Sequence, residues 1–266
     1  MRFLKKLSNT SKPGNRPAGG QPGCRAYAVG DVHGRLDLLE QLLEMIEADA
    51  VKRPERKTYI VFLGDFIDRG PASAGVVEKL RTYSPSFAKP IFIAGNHEEV
   101  FLRVLGGEDR ILRDWLNFGG AECVQSYGID PEKLGRLEPA AAIKRLREAM
   151  PKAHVEFLES LADTFRFGSY LFVHAGIRPG IELMHQDQFD LRWIREPFLS
   201  DEEEHGMIVV HGHTIVPDVE ERANRICIDT GAYRTGVLTA IGLEEAERWY
   251  LSATGKKEPR GSEVAA

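Results

Sequence analysis

The sequence predicts an α/β domain, and three observations carry that expectation. From Arg25 onward, short apolar runs alternate with stretches of helical periodicity, which is the pattern of βαβ units. Three of the early runs end in a glycine followed by a polar side chain, and a second group of short apolar runs follows a long helical stretch. The 266 residues, 42% of them hydrophobic, suffice for one large domain with a real core.

Residues 1–23 carry Arg2, Lys5, Lys6, Lys12 and Arg16 with no acid and close on Gln21-Pro22-Gly23. Such a composition buries too little apolar area to order itself, so a disordered basic tail is expected. The alternative is that Phe3, Leu4 and Leu7 dip into an anionic membrane surface beside the lysines, and the solvated tail is favoured over it.

The domain is expected over residues 24–251. Ala26 to Val29 reads as a strand, and Leu39, Leu42, Leu43 and Ile46 fall on one helical face. Tyr59 to Leu63 is the next strand, followed by a helix over about Ala74 to Tyr83, a strand over Ile91 to Ala94 and a helix opening near His97. The three strands end in Gly30-Asp31, Gly64-Asp65 and Gly95-Asn96. As parallel neighbours they would bring three side chains of metal-ligand type to one sheet edge, where open α/β folds bind ligands. The second loop, Gly64-Asp65-Phe66-Ile67-Asp68-Arg69-Gly70, packs two carboxylates and a guanidinium together, a crowding that a cation would offset.

Residues from about 100 to 163 read as a helical cap punctuated by Pro131, Pro139 and Pro151. Thr164 to Phe167, a Gly168-Ser169 turn and Tyr170 to Val173 then predict a hairpin ending at His174. Met207 to Val210 runs into His211-Gly212-His213, and Ile226 to Asp229 with Val237 to Ile241 suggest further strands of this second group. From Ser252 to Ala266 small and charged residues predict a flexible tail.

Composition narrows the function classes. A net charge of −5 with interspersed signs gives no basic field, so nucleic acid is not an expected partner. Three widely spaced cysteines without a CxxC indicate neither a disulfide framework nor a thiolate zinc site, and point to a reducing compartment. No apolar run reaches membrane-spanning length and the first residues lack a secretory apolar stretch, so a cytoplasmic location without membrane insertion is expected. The chain has no GxxxxGK[ST] and no Gly-rich dinucleotide turn, which removes kinase-type nucleotide chemistry.

Asp31 and His33, one residue apart, can turn toward a common ion, and carboxylate with imidazole suits Mn, Fe or Zn. Asp31, His33, Asp65, Asn96, His174 and His213 each stand at or just past the end of an apolar run. The ordered motifs GDVHG at 30, GDFIDRG at 64, GNHE at 95, HAG at 174 and GHT at 212 resemble the calcineurin-like metallophosphoesterases, and within them the phosphoprotein phosphatases of bacterial type. Trp115-Leu116-Asn117-Phe118-Gly119-Gly120 and His174-Ala175-Gly176-Ile177-Arg178-Pro179 look like that branch.

The resemblance, over roughly residues 25 to 245, implies two packed mixed β-sheets flanked by helices with a dinuclear centre at their edge. By position, Asp31 and His33 would bind the first metal, Asp65 would bridge, and Asn96, His174 and His213 would hold the second; Mn²⁺ is the expected ion, with Fe or Zn as alternatives. It implies phosphoester cleavage by a metal-bridging hydroxide, His97 protonating the leaving oxygen and Asp68 orienting it. Arg69 and Arg195, with Asn96, would hold the phosphate, and Arg178 and Arg192 are the other candidates for the second clamp. The implied substrate is a protein or peptide phosphorylated on Ser or Thr, with Tyr also open. The alternative is a symmetrical diadenosine tetraphosphate hydrolase on the same site. A catalytically silent scaffold would lack the bridging Asp, the acid His or an Arg, and none is missing.

Other residues read as structural. His211 lies outside the positional match, His154, His185 and His205 as surface or helix histidines, Glu98 as a helix-start carboxylate, Asp229 as a structural acid and Asp201 to Glu204 as a solvated run. Oligomeric state is not assigned by any of these features.

Overall fold

The structure, a computed structural model, describes residues 19–257. Strands β1 (Cys24–Val29), β2 (Lys57–Phe62) and β3 (Ala88–Phe92) lie parallel and adjacent, with Val29 opposite Phe62 and Phe62 opposite Phe92. Their carboxyl ends are therefore level, and the Gly-polar pairs that follow emerge on one edge. The intervening helices are α1 (Leu36–Lys52) and α2 (Ser73–Arg81), and α3 (Asn96–Gly106) opens directly after β3.

The hairpin β4 (Thr164–Phe167) and β5 (Tyr170–Val173) forms as expected. With β6 (Ile208–His211), β7 (Glu220–Glu221) and β8 (Arg225–Cys227) it makes a second mixed sheet, ordered β4-β5-β6-β8-β7. Period-two alternation sorts the faces. Ala26, Ala28, Tyr59, Val61 and Leu63 meet Phe167, Tyr170, Phe172, Val210 and Ile226 between the sheets. Tyr27, Val29, Ile60 and Phe62 point the other way, onto Leu38, Leu39, Leu42 and Ile46 of α1 and Val76, Val77 and Leu80 of α2. Leu171, Val173 and Val209 face out of the second sheet onto Leu191 of α9 (Gln188–Trp193) and Phe198. The result is helix, sheet, sheet, helix, and each large buried side chain contributes about 1.5–3 kcal/mol.

The cap contains α4 (Leu112–Trp115), α5 (Ala121–Ser126), α6 (Pro131–Gly135), α7 (Pro139–Ala149) and α8 (Lys152–Glu159). Pro131 and Pro139 occupy first helical positions, where the missing N–H is no loss. Leu112, Trp115, Val124, Leu134, Ile143, Leu146 and Leu158 join the same core as α1 and α2, so the cap is continuous with the domain.

Three expectations are corrected. The run from Val237 belongs to the first sheet: β9 (Val237–Glu244) pairs antiparallel with β1, because its apolar residues split between Leu238 and Ala240 on the helical side and Ile241 and Leu243 between the sheets. The segment from Ser252 is not frayed at its start. β10 (Glu247–Thr254) runs to Thr254 opposite Val237, with Trp249, Leu251 and Ala253 packed on the helical side of the sheet. The end of the expected N-terminal tail is also held: Gly20 N–H donates to Glu245 O at 2.6 Å and Ser169 N–H to Gly19 O at 2.8 Å. The rest of both expected tails, residues 1–18 and 258–266, lies outside the described residues, as do Phe3, Leu4 and Leu7.

Cys24, Cys123 and Cys227 are free thiols, all buried. Among the described residues no helix is long and apolar enough to cross a membrane.

Candidate metal centre and active site

The loops at the sheet edge adopt backbone that most residues avoid. Among the described residues six non-glycines have positive φ, and five of them are His33 (43°), Asp65 (49°), Asp68 (71°), Arg69 (66°) and His213 (63°). Such residues persist only where the surroundings fix them. For Asp65 that fixing comes from Glu98 in the first turn of α3, whose buried carboxylate accepts the backbone N–H of Asp65 (2.9 Å), Phe66 (2.8 Å), Ile67 (3.3 Å) and Gly95 (3.0 Å). Glu98 is thus a latch on the Asp65 loop as well as a helix-start acid. Burial first, then the charge of Asp65, push its carboxyl up to about 7.

The ligand-type side chains converge as the strand ends predict. Asp65, His33 and His97 offer ligand atoms within 4.8 Å of one another, and so do Asp65, His174 and His213; Asp65 is common to both groups. The tautomers can be read from the outer nitrogens. His33 Nδ1–H donates to Ile67 O at 2.9 Å and His174 Nδ1–H to Leu63 O at 2.8 Å, which leaves each Nε2 with a lone pair facing inward. The inward Nε2 of His174 lies 3.0 Å from Asn96 Oδ1 and 3.4 Å from Asp65 Oδ1, while His213 Nδ1 lies 2.9 Å from the same Asn96 oxygen. With its proton on Nδ1, His174 turns an acceptor onto the Asn96 and Asp65 oxygens, an arrangement that fits a cation between them.

On the other side His33 Nε2 stands 3.5 Å from Asp65 Oδ2. Asp31 Oδ2 accepts the His213 N–H at 3.0 Å, and its buried Oδ1 has no hydrogen-bond partner. A Cβ on Gly212 would stand 1.9 Å from that oxygen, so only glycine lets the two loops close. His97 comes into the first three-residue group where Asp31 was expected beside His33, with its Nε2 4.0 Å from Asp65 Oδ2.

Burial works against charge throughout the centre, and partners decide the outcome. His33 and His174 are held below the usual imidazole range by burial, and His213 is lowered to about 2 chiefly for the same reason, which favours in each the uncharged form that can donate a lone pair. Burial favours neutral Asp65, yet the imidazoles around it, His174 and His97 foremost, hold the carboxyl below its ordinary value. Asp31 is raised by burial and by the charges of Asp229 and Asp65, and Asp229 to about 6, chiefly by burial. Two cations would relieve this excess of carboxylate. The two groups that share Asp65 can therefore hold metal ions, and the unpartnered Asp31 oxygen and the Asn96 amide oxygen lie beside them.

His97 follows Asn96 on α3 and its Nδ1 lies 2.6 Å from Asp68 Oδ2. Burial would lower its pKa, but the charges of Asp65 and Asp68 and the Asp68 hydrogen bond more than offset that and raise it. Arg69 donates from Nη1 to His33 Nε2 at 3.1 Å, and its guanidinium carbon stands 4.8 Å from the Tyr233 ring centre. That ring also meets His33 edge-on at 5.2 Å.

The three candidates for a second arginine separate clearly. Arg178 is held by Asp190 at 2.6 and 2.5 Å, and Arg192 by Asp163 at 2.7 Å and Glu99 at 3.3 Å. Arg195 is exposed, has no ion pair among the described residues, and its charge contributes to the depression of His213. It alone is free to turn toward the centre.

Sequence reasoning missed Trp115 and Tyr233. Trp115 Nε1–H donates to Asp68 Oδ2 at 3.0 Å from 47 positions away. Its motif was visible, but nothing local showed where it points. His211 is buried against Phe198 with a pKa lowered to about 3 by burial, outside both ligand groups. His154 is a helix histidine, as one of the two expectations for it had it, buried on α8 between Tyr127 and Glu78. Asp229 is buried beside Asp31 and accepts the Gly231 N–H at 2.9 Å.

Comparison with known proteins agrees with this geometry. A symmetrical bis(5'-nucleosyl)-tetraphosphatase of Methylococcus capsulatus is 31% identical over 153 residues, 58% of this chain and 43% of that protein. The match to Coxiella burnetii relatives of the same name is 36% over 80 residues and 24% of their length, so the chain spans less than half of these relatives. An asymmetrical bis(5'-nucleosyl)-tetraphosphatase, PrpE, of Anoxybacillus flavithermus is 26% identical over 85% of this chain and 93% of that one. In fold, the chain is similar to the crystal structure of a proposed diadenosine tetraphosphatase, with a TM-score of 0.61, 19% identity and coverage of 89% and 100%. It is also similar to a Saccharomyces cerevisiae protein serine/threonine phosphatase, with a TM-score of 0.50, 15% identity and coverage of 90% and 82%. The family model for calcineurin-like phosphoesterases matches residues 24–245, the whole span that carries both sheets' catalytic edge, and the chain belongs to that family.

Proposed function

We propose that this chain hydrolyses phosphoesters with His97 as the proton donor to the leaving oxygen and with Arg69 and Arg195 holding the phosphoryl group. The observation that carries the reading is the pair His97 and Asp68. A carboxylate 2.6 Å from Nδ1 keeps a proton on the imidazole and fixes the ring, while Nε2 is left facing the centre near Asp65. Asp31, His33, Asp65, Asn96, His174 and His213 would hold two divalent cations. When bound, such ions polarise the phosphoryl group and can lower the pKa of water from about 15.7 toward about 7.

Arg69 approaches from the same loop as Asp65 and is held by Tyr233, so its guanidinium can meet two phosphoryl oxygens at once. Asn96 joins the phosphate contacts, and Arg195 closes from the side of α9. Mn²⁺ is the preferred ion on ligand chemistry, with Fe and Zn as the alternatives.

For the substrate, the motif set favours a protein or peptide phosphorylated on Ser or Thr, with Tyr as a further acceptor. The names of the relatives favour a second reading, a bis(5'-nucleosyl) tetraphosphate cleaved on the same centre. The deciding measurement is kcat/KM, with Mn²⁺ supplied, for serine, threonine and tyrosine phosphopeptides beside diadenosine tetraphosphate, using Asp65→Asn as the blank. A strong preference for phosphopeptides supports the first reading, and preference for the dinucleotide replaces it with the second.

A further inference from the structure

Between α4 and α5 the cap helix is interrupted over Leu116–Gly120, where Phe118 and Gly119 leave helical backbone. A wide turn of this kind breaks the regular ladder, and such turns occur often at functional sites. Here it reaches two consecutive residues of the catalytic loop. Gly119 O accepts the Arg69 N–H at 3.0 Å, and Trp115 Nε1–H donates to Asp68 Oδ2 at 3.0 Å. The Trp115 ring is buried and occupies the place where a Cβ on Gly120 would lie, 2.5 Å from Cε2, so the glycine is what lets the indole seat.

The indole N–H could have satisfied itself on any backbone carbonyl. It is aimed instead at the one Asp68 oxygen that also holds His97. Asp68 Oδ1 is buried and meets no N–H or O–H donor; only the weak donor of the buried Cys123 thiol lies against this carboxylate, and the carboxylate torsion of an aspartate is soft. Two donors on Oδ2 therefore set the angle at which Asp68 presents itself, and with it the plane of the His97 ring. We propose that Trp115 is a positioning residue for the His97–Asp68 acid pair, supplied by the cap through the Leu116–Gly120 turn. The assignment rests on the reading of His97 as the proton donor.

The test separates the two. Rates are measured with Mn²⁺ supplied for a series of aryl phosphates from phenyl to 4-nitrophenyl, because proton donation matters most for the poorest leaving group. In the wild type the dependence on leaving group is shallow. In His97→Asn it becomes steep, with phenyl phosphate losing about 10²-fold and 4-nitrophenyl phosphate much less. In Trp115→Phe, phenyl phosphate loses about tenfold while 4-nitrophenyl phosphate stays within about twofold, the partial form of the same signature. Circular dichroism and bound-metal content confirm that the variant is folded and loaded. If Trp115→Phe does not fold, Trp115→3-benzothienylalanine keeps the ring and removes only the donor. A folded, loaded variant that lowers all the aryl phosphates equally, or none, overturns the role of Trp115. An unchanged slope in His97→Asn overturns the proton-donor reading itself.

Discussion

Glu98 Oε2 accepts the backbone N–H of Asp65 at 2.9 Å, so the residue common to both ligand groups is held in left-handed backbone by a carboxylate that belongs to neither group. Glu98→Gln exchanges one acceptor oxygen for an NH₂ that opposes the loop's N–H groups. Loss of such a supporting contact lowers metal affinity by about 10–100-fold. Titration of apo-protein with Mn²⁺ is expected to show that loss, together with a lower Tm; unchanged affinity would remove the latch.

His97 carries a raised pKa, and the acid form is the one required, so kcat should fall as pH rises through that value. In Asp68→Asn the Asp68 charge and its charged hydrogen bond are removed, while the raising charge of Asp65 and the downward pull of burial stay. The alkaline limb of the kcat profile is therefore expected to move to lower pH, with a lower plateau. A limb that stays in place would mean that another group titrates.

Arg195→Ala should weaken inhibition by inorganic phosphate and lower kcat/KM by about tenfold or more, as loss of a charged hydrogen bond to an anion does. Arg178→Ala and Arg192→Ala, whose guanidinium groups are taken by Asp190 and by Asp163 with Glu99, should leave phosphate inhibition near wild type. The reverse pattern would move the second clamp to one of them.

Gly119 has φ of 112°, and a Cβ there would stand 2.6 Å from Arg69 Cγ. Gly119→Ala is expected to push Arg69 from its place between His33 and Tyr233, raising KM for phosphoester more than it lowers metal content. Metal analysis beside steady-state kinetics checks this. Equal losses in both would point to collapse of the whole loop.

Much of the site was legible because each ligand-type residue follows a strand, and a strand is a local signal. An apolar run ending in Gly-Asp or Gly-Asn declares both the element and the edge at which its polar residue emerges, so Asp31, Asp65 and Asn96 could be grouped before any contact was known. His174 and His213 followed the same rule from the second sheet. Glycine placed the hairpin at Gly168-Ser169, and the prolines that punctuate the cap fall at the first positions of α6 and α7 for equally local reasons.

What the tertiary structure alone decided is non-local pairing. The run from Val237 reads as a strand wherever it goes, but only the register with β1 puts it in the first sheet, and only that pairing gives β10 an edge to extend to Thr254. Arg178, Arg192 and Arg195 look alike as guanidinium groups within one short span. They differ because Asp190, Asp163 and Glu99 come from different elements to occupy two of them. Trp115 meets Asp68 across 47 positions through a turn whose periodicity breaks the helix that would have revealed it. Periodicity fixes which face a side chain takes, whereas the partner it meets is set by loop closure and packing between distant segments, and no single stretch of sequence contains that information.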